Sequence, residues 1–190
     1  MAGILALTVS EFQSNYWKYR LAYDRDTLDP ESYWNTVAGR SLGSSEVDRV
    51  QEIDSASWAH PNHAMPEWAR QAQSSGFRTA LLSNMPWPVR DHIIQCSWLP
   101  GFDHRTFSCD LHLTKPSPEI YEHSLDGVGA KTADALLIDD REENIRAAEA
   151  LGMHAILFRS PEQFVQEAGR RFAIDVPLVA TVNKSNDQNQ

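Results

Sequence analysis

Hydrophobic positions follow a helical period through the first third of the chain and then change character. The stretch "SEFQSNYWKYRLAY" sets Phe12, Tyr16, Tyr19 and Tyr23 at helical spacing behind Ser10, a good N-cap residue. "DPESYWNTVAG" carries Asp29 as N-cap, Pro30 at the first helical position and Gly39 as a stop. "SSEVDRVQEI" predicts a third helix, and "MPEWARQAQSSG" a fourth that runs from near Pro66 to Gly76. After Gly76 short apolar runs alternate with amphipathic segments. "FRTALLSN", "RTFSCD", "DALLID" and "MHAILF" predict strands. The helices "MPWPVRDHIIQCSWL", "SPEIYEHSLDGVG", "REENIRAAEALG" and "SPEQFVQEAG" follow them in turn, with Ser117 capping the second and Gly152 closing the third. Strands that alternate with helices require crossover connections and a parallel sheet. Continuous apolar runs such as "ALLI" suit strands covered on both faces. The fold class is therefore α/β, a doubly wound parallel sheet of Rossmann-like type joined to an all-helical segment.

Composition narrows the function. A chain of 190 residues with 42% hydrophobic content supports one domain, or one domain with an insert. A formal net charge of -9 argues against nucleic-acid and bilayer binding, where phosphates would repel the chain. A small anionic substrate held by a local basic group remains compatible. Cys96 and Cys109 have no paired spacing, which fits a reduced, cytoplasmic compartment. The opening "MAGILALTVS" lacks the basic leader of a signal peptide, and no run reaches the roughly 20 apolar residues of a membrane span. Oligomeric state is not legible in the sequence.

The candidate chemistry lies where the strands end, since ligands of open parallel sheets collect at the carboxyl edge. The first run ends in Ser83 and Asn84, the second leads to Lys115, and the third ends in Asp139 and Asp140. Ser83 can donate to a phosphate oxygen and Lys115 supplies a point charge for an anion. Adjacent carboxylates repel one another and call for a cation; their hard oxygens suit Mg²⁺. Simpler readings stand beside these. Asp140 can serve as the N-cap of the next helix, Ser83 as a loop hydroxyl and Lys115 as a surface lysine.

Three segments together resemble a known family. "TALLSNMP", "TKPSPEIYEHSL" and "ALLIDDREENIRAAEALGMHAILF" are similar to the second, third and fourth motifs of the haloacid dehalogenase-like (HAD) hydrolase superfamily. The resemblance implies a small helical cap at residues 10–68, an α/β core from residues 1–9 and 69–180, and a disordered tail at 181–190. It implies a Mg²⁺-dependent phosphatase acting on a small phosphorylated metabolite. A dehalogenase fits less well, because carbon–halogen cleavage has no use for the metal that the Asp139–Asp140 pair suggests. By the resemblance, Ser83 and Asn84 bind the phosphoryl group. Lys115 binds it too, and is the catalytic cation; Asp139 and Asp140 hold Mg²⁺.

The family's first motif, an aspartate nucleophile at the end of a central strand, has no counterpart in this sequence. The best superposition sets Gly3 on the motif's final glycine and Ala2 on its second acid. That central strand would lie between the strands ending at Ser83 and Asp139, and "GILALTV" is a poor replacement for it. Three expectations follow: a chain whose true start lies upstream, a non-catalytic binding or regulatory module, or an active protein using another acid. The acids nearest the motif are Asp24, Asp26 and Asp29 in "DRDTLD", which read as an exposed turn between cap helices.

Other constellations are weaker. His60 and His63 in "HPNH" are spaced for one helical face, but Pro61 breaks the helix. Neither a Gly-x-Ser-x-Gly elbow nor a Gly-x-Gly-x-x-Gly turn occurs. The aromatics Tyr16, Trp17, Tyr19, Tyr23, Tyr33 and Trp34 predict packing among the helices, with some lining a cleft towards the α/β part.

Overall fold

The computed structural model describes residues 1–60 and 64–176. His63 and the 181–190 tail lie outside the described residues. Three helices come first: α1 (Val9–Asp24), α2 (Pro30–Ala38) and α3 (Ser44–Trp58). Their boundaries follow from local chemistry. Thr8, rather than Ser10, caps α1: its hydroxyl accepts from Glu11 N while the Glu11 carboxylate accepts from Thr8 N, a reciprocal capping box. The Asp29 side chain accepts from Ser32 N at the start of α2, and Gly39 ends that helix at φ 67°, a left-handed conformation that disfavours other residues. The aromatic stripe packs inward: Tyr33, Trp34 and Val37 are fully buried with Val50, and Tyr23 stacks on Tyr33 at 4.1 Å.

The α/β part carries β1 (Ala80–Ser83), β2 (His104–Phe107), β3 (Leu136–Asp139) and β4 (His154–Leu157). Helices α4 (Ala64–Ser74), α5 (Trp87–Ile93), α6 (Ser108–Leu111), α7 (Pro118–Val128), α8 (Glu142–Ala150) and α9 (Pro161–Phe172) surround them. All pairing is parallel, β1 with β2 and β3 with β4, as the alternating pattern requires. Trp68 and Ala72 of α4 pack with Ile156 of β4 and with Phe164 and Ala168 of α9. Leu82 of β1 and Leu137 of β3 both reach the cluster of Ile120 and Tyr121 on α7.

The strands form two separate pairs, and β1 and β3 share no backbone ladder among the described residues. "GILALTV" does not bridge them. Residues 2–6 form turns, and Leu5, 1% exposed, packs among the aromatics of α1–α3 together with Ile4 and Leu7. The reason is visible in the chain: the Thr8 capping box starts α1 so early that these residues are tied to the helices they precede.

Candidate active site

β1 terminates in Ser83 and β3 in Asp139, and both strand ends line the same cleft although the two strands belong to separate pairs. Lys115 links them. Its ammonium donates to Leu82 O at 3.0 Å and to Asp139 Oδ2 at 2.6 Å, spanning from β1 to β3. Asn84 fixes the lysine's backbone: Asn84 Nδ2 donates to Lys115 O at 2.9 Å, and Lys115 N donates to Asn84 Oδ1 at 2.8 Å. The Asn84 side chain is thus committed to holding Lys115. Asp139 is buried and also accepts through Oδ1, from Arg141 N at 2.9 Å and Asn144 Nδ2 at 2.8 Å. Asp140 does not cap α8: the N-cap is Arg141, without a side-chain cap bond, and it is Asp139 that accepts from the Arg141 N–H. Asp140 is exposed and takes no hydrogen bond among the described residues.

Ser83, Asn84, Lys115, Asp139 and Asp140 all line one cleft of about 310 Å³, together with residues from α1, α3, α5 and α8. The helices are tied down beside it. Ser108 Oγ donates to Asp24 O at 2.6 Å and accepts from Met85 N at 2.8 Å. Arg25 Nη2 donates to Thr114 Oγ1 at 2.9 Å, next to Lys115. The end of α1 therefore docks between the loop after β1 and the loop before α7.

Sequence reasoning missed several cleft residues. Asp24 is 6% exposed and lines the cleft, where an exposed turn was expected; Asp26 is half-buried and only Asp29 is an exposed cap. The signal was the i, i+4 spacing of Arg20 and Asp24 on α1, which meet at 2.7 Å. Arg20 also reaches Asp54 at 3.0 Å and donates to the Tyr16 hydroxyl, while Tyr16 donates to Asp54 Oδ1 at 2.7 Å. Burial pushes the Asp24 carboxyl up to about 6 against the pull of Arg20. For Arg20 burial works against the charge, but Asp24 and Asp54 outweigh it and hold the guanidinium firmly protonated. Arg141, Asn144, Trp17 and Trp58 complete the wall.

The donor set limits what cation could sit here. Asp139 already accepts from three groups, which leaves Asp140 as the free carboxylate of the pair. No cluster of three or more His, Cys, Asp or Glu suited to a metal occurs among the described residues. One exposed carboxylate in a cleft that also holds a lysine fits a Mg²⁺ that keeps most of its water, and does not fit an enclosed cage.

The family model for haloacid dehalogenase-like hydrolases matches residues 6–152. The chain is similar to bifunctional epoxide hydrolase 2 of Mus musculus, 30% identical over 171 residues, which cover 84% of this chain and 30% of that protein. It is 23% identical over 133 residues to a sesquiterpene phosphatase of Aspergillus oryzae, covering 69% of this chain and 67% of the other. A HAD family enzyme from Bacteroides thetaiotaomicron, solved with magnesium and inorganic phosphate, superposes with a TM-score of 0.59 at 15% identity, over 81% of this chain and 88% of that one. The chain spans only 20% to 30% of the length of the epoxide hydrolases it matches.

Proposed function

The chain belongs to the haloacid dehalogenase-like hydrolases, and we propose on that footing that its cleft binds the phosphoryl group of a phosphate monoester. The observation that carries this reading is the convergence of Ser83, Lys115, Asp139 and Asp140 on one cleft at the carboxyl edge of two parallel strand pairs. Ser83 would donate to a phosphoryl oxygen and Lys115 would balance its charge, with Asn84 holding the Lys115 backbone in place. Asp139 keeps the ammonium aimed across the cleft. Asp140 would hold Mg²⁺ with Asp139 behind it; such an ion neutralises charge on the phosphoryl oxygens. Helices α1–α3 act as the cap over this site. The free thiols Cys96 and Cys109 suit a reducing, cytoplasmic setting.

Turnover through an aspartyl-phosphate requires a free carboxylate in line with phosphorus. Of the cleft's three acids, Asp139 is paired with Lys115, Asp24 with Arg20, and Asp140 is assigned to the metal. We infer that the 190-residue polypeptide binds phosphate esters without hydrolysing them. One observation favours a second reading, in which Asp24 serves as the acid: it lines the same cleft, and its Oδ2 has no hydrogen-bond partner among the described residues. The test is release of phosphate from p-nitrophenyl phosphate with Mg²⁺. No release is expected. Release abolished by Asp24→Asn would establish the second reading instead.

A further inference from the structure

Two tryptophans break the packing rule of the helical unit. Tyr33 and Trp34 are 0% exposed and Tyr16 5%, yet Trp17 is 55% and Trp58 45% exposed, and both line the cleft. Their rings meet edge to face at 6.2 Å and 88°. Each is held. Trp58 Nε1 donates to Tyr16 Oη at 3.0 Å, and the Arg20 guanidinium lies 5.3 Å from the Trp58 ring centroid. Trp17 packs edge to face on Tyr16 at 5.0 Å. The α/β part adds apolar side chains to the same lining, Leu81, Val89, Ile93 and Trp98, beside its polar residues. Large indole faces fixed in position and left in water, in a cleft that other apolar side chains also line, form a place for an apolar group.

The cleft therefore combines two kinds of lining. One set is polar, Ser83, Lys115, Asp140 and Arg141; the other is the two indoles with Leu81, Val89, Ile93 and Trp98. Its charges cancel, Arg20, Lys115 and Arg141 against Asp24, Asp139 and Asp140, so little charge is left over for a second anionic group. At about 310 Å³ it lies at the lower limit of the roughly 300–1,000 Å³ of small-molecule pockets. A long chain or a second phosphate does not suit that space. We propose that the site selects phosphate monoesters whose alcohol part is a compact, flat, apolar group, aryl in character, with Trp17 and Trp58 as the residues that choose it over a sugar. This rests on the phosphate-site reading above and adds the nature of the other half of the ligand.

The test is a calorimetric titration of the 190-residue chain with four probes in Mg²⁺ buffer: inorganic phosphate, 1-naphthyl phosphate, ribose 5-phosphate and 1-naphthol. Naphthyl phosphate is expected to bind about tenfold more tightly than inorganic phosphate, and ribose 5-phosphate no more tightly than phosphate, since aromatic pairing adds to area burial. Trp17→Ala and Trp58→Ala should each cost naphthyl phosphate about threefold to tenfold and leave inorganic phosphate unchanged. Phe77→Ala, an exposed aromatic away from the cleft, should alter neither. If a tryptophan variant fails to fold, the indole signals of the unaltered chain decide: naphthyl phosphate should shift those of Trp17 and Trp58 and inorganic phosphate should not. Equal affinity for naphthyl phosphate, ribose 5-phosphate and inorganic phosphate overturns the proposal while the phosphate site stands. Binding of naphthol with no binding of phosphate overturns both.

Discussion

The Lys115 side chain joins β1 to β3, and its removal has a calculable cost. The pair it makes with Asp139 is buried, the side chains 12% and 5% exposed, at 2.6 Å. Replacing Lys115 by Met keeps the stem and removes the charge. Asp139 then stays buried without its counter-ion, and breaking a buried pair costs about 3–5 kcal/mol. Two of its hydrogen bonds survive, from Arg141 N and Asn144 Nδ2, which favours the lower end of that range. Leu82 O loses a donor for about 1 kcal/mol. The total is about 3–4 kcal/mol. With a urea slope of roughly 2 kcal/mol per molar, the unfolding midpoint should fall by about 1.5–2 M. Asp139→Asn alone should also destabilise, and the double variant should lose less than the two singles summed, by about 2 kcal/mol. A coupling below about 0.5 kcal/mol would place this pair with exposed ion pairs and refute the argument.

Other expectations follow from single contacts. The Asp24 carboxyl, raised to about 6 from an ordinary 3.8, keeps its proton in the folded chain across a window where the unfolded chain has lost it. Stability from this group is full below about pH 4 and falls by about 3 kcal/mol as pH rises through 6. Urea midpoints measured from pH 4 to 7 should show that decline, and Asp24→Asn should flatten it. Gly127→Ala, though favoured by helix propensity, should destabilise α7 by about 1 kcal/mol, because the new Cβ meets the His104 ring at 2.2 Å; thermal denaturation reads this directly. Thr8→Ala removes the capping box of α1 and should cost about 1 kcal/mol by the same measurement.

The alternation of short apolar runs with capped helices made the α/β architecture legible, and the family model and structural neighbours bear it out. Pro–Gly punctuation marked α2 correctly because Asp29, Pro30 and Gly39 act on their own backbone neighbours. Tertiary facts were harder to read. That Leu5 turns into the helical cluster depends on where Thr8 starts α1, a choice between two adjacent cap residues. That Asp24 is buried depends on Ser108, far along the chain, whose hydroxyl donates to Asp24 O while accepting from Met85 N. The convergence of Ser83, Lys115 and Asp139 was suggested by strand ends alone; in the structure β1 and β3 lie in separate pairs, and the Lys115 ammonium bridges them. That Arg141 rather than Asp140 is the N-cap of α8 was out of reach, since it turns on the conformation of a one-residue step.

The central claim is that this edge of the sheet is a phosphate site, and a backbone-amide NMR titration with inorganic phosphate and Mg²⁺ tests it most directly. Saturable shifts should concentrate at Ser83, Asn84, Lys115 and Arg141 and vanish in Lys115→Met at unchanged fold. Shifts absent from these amides, or undiminished in the variant, would contradict it.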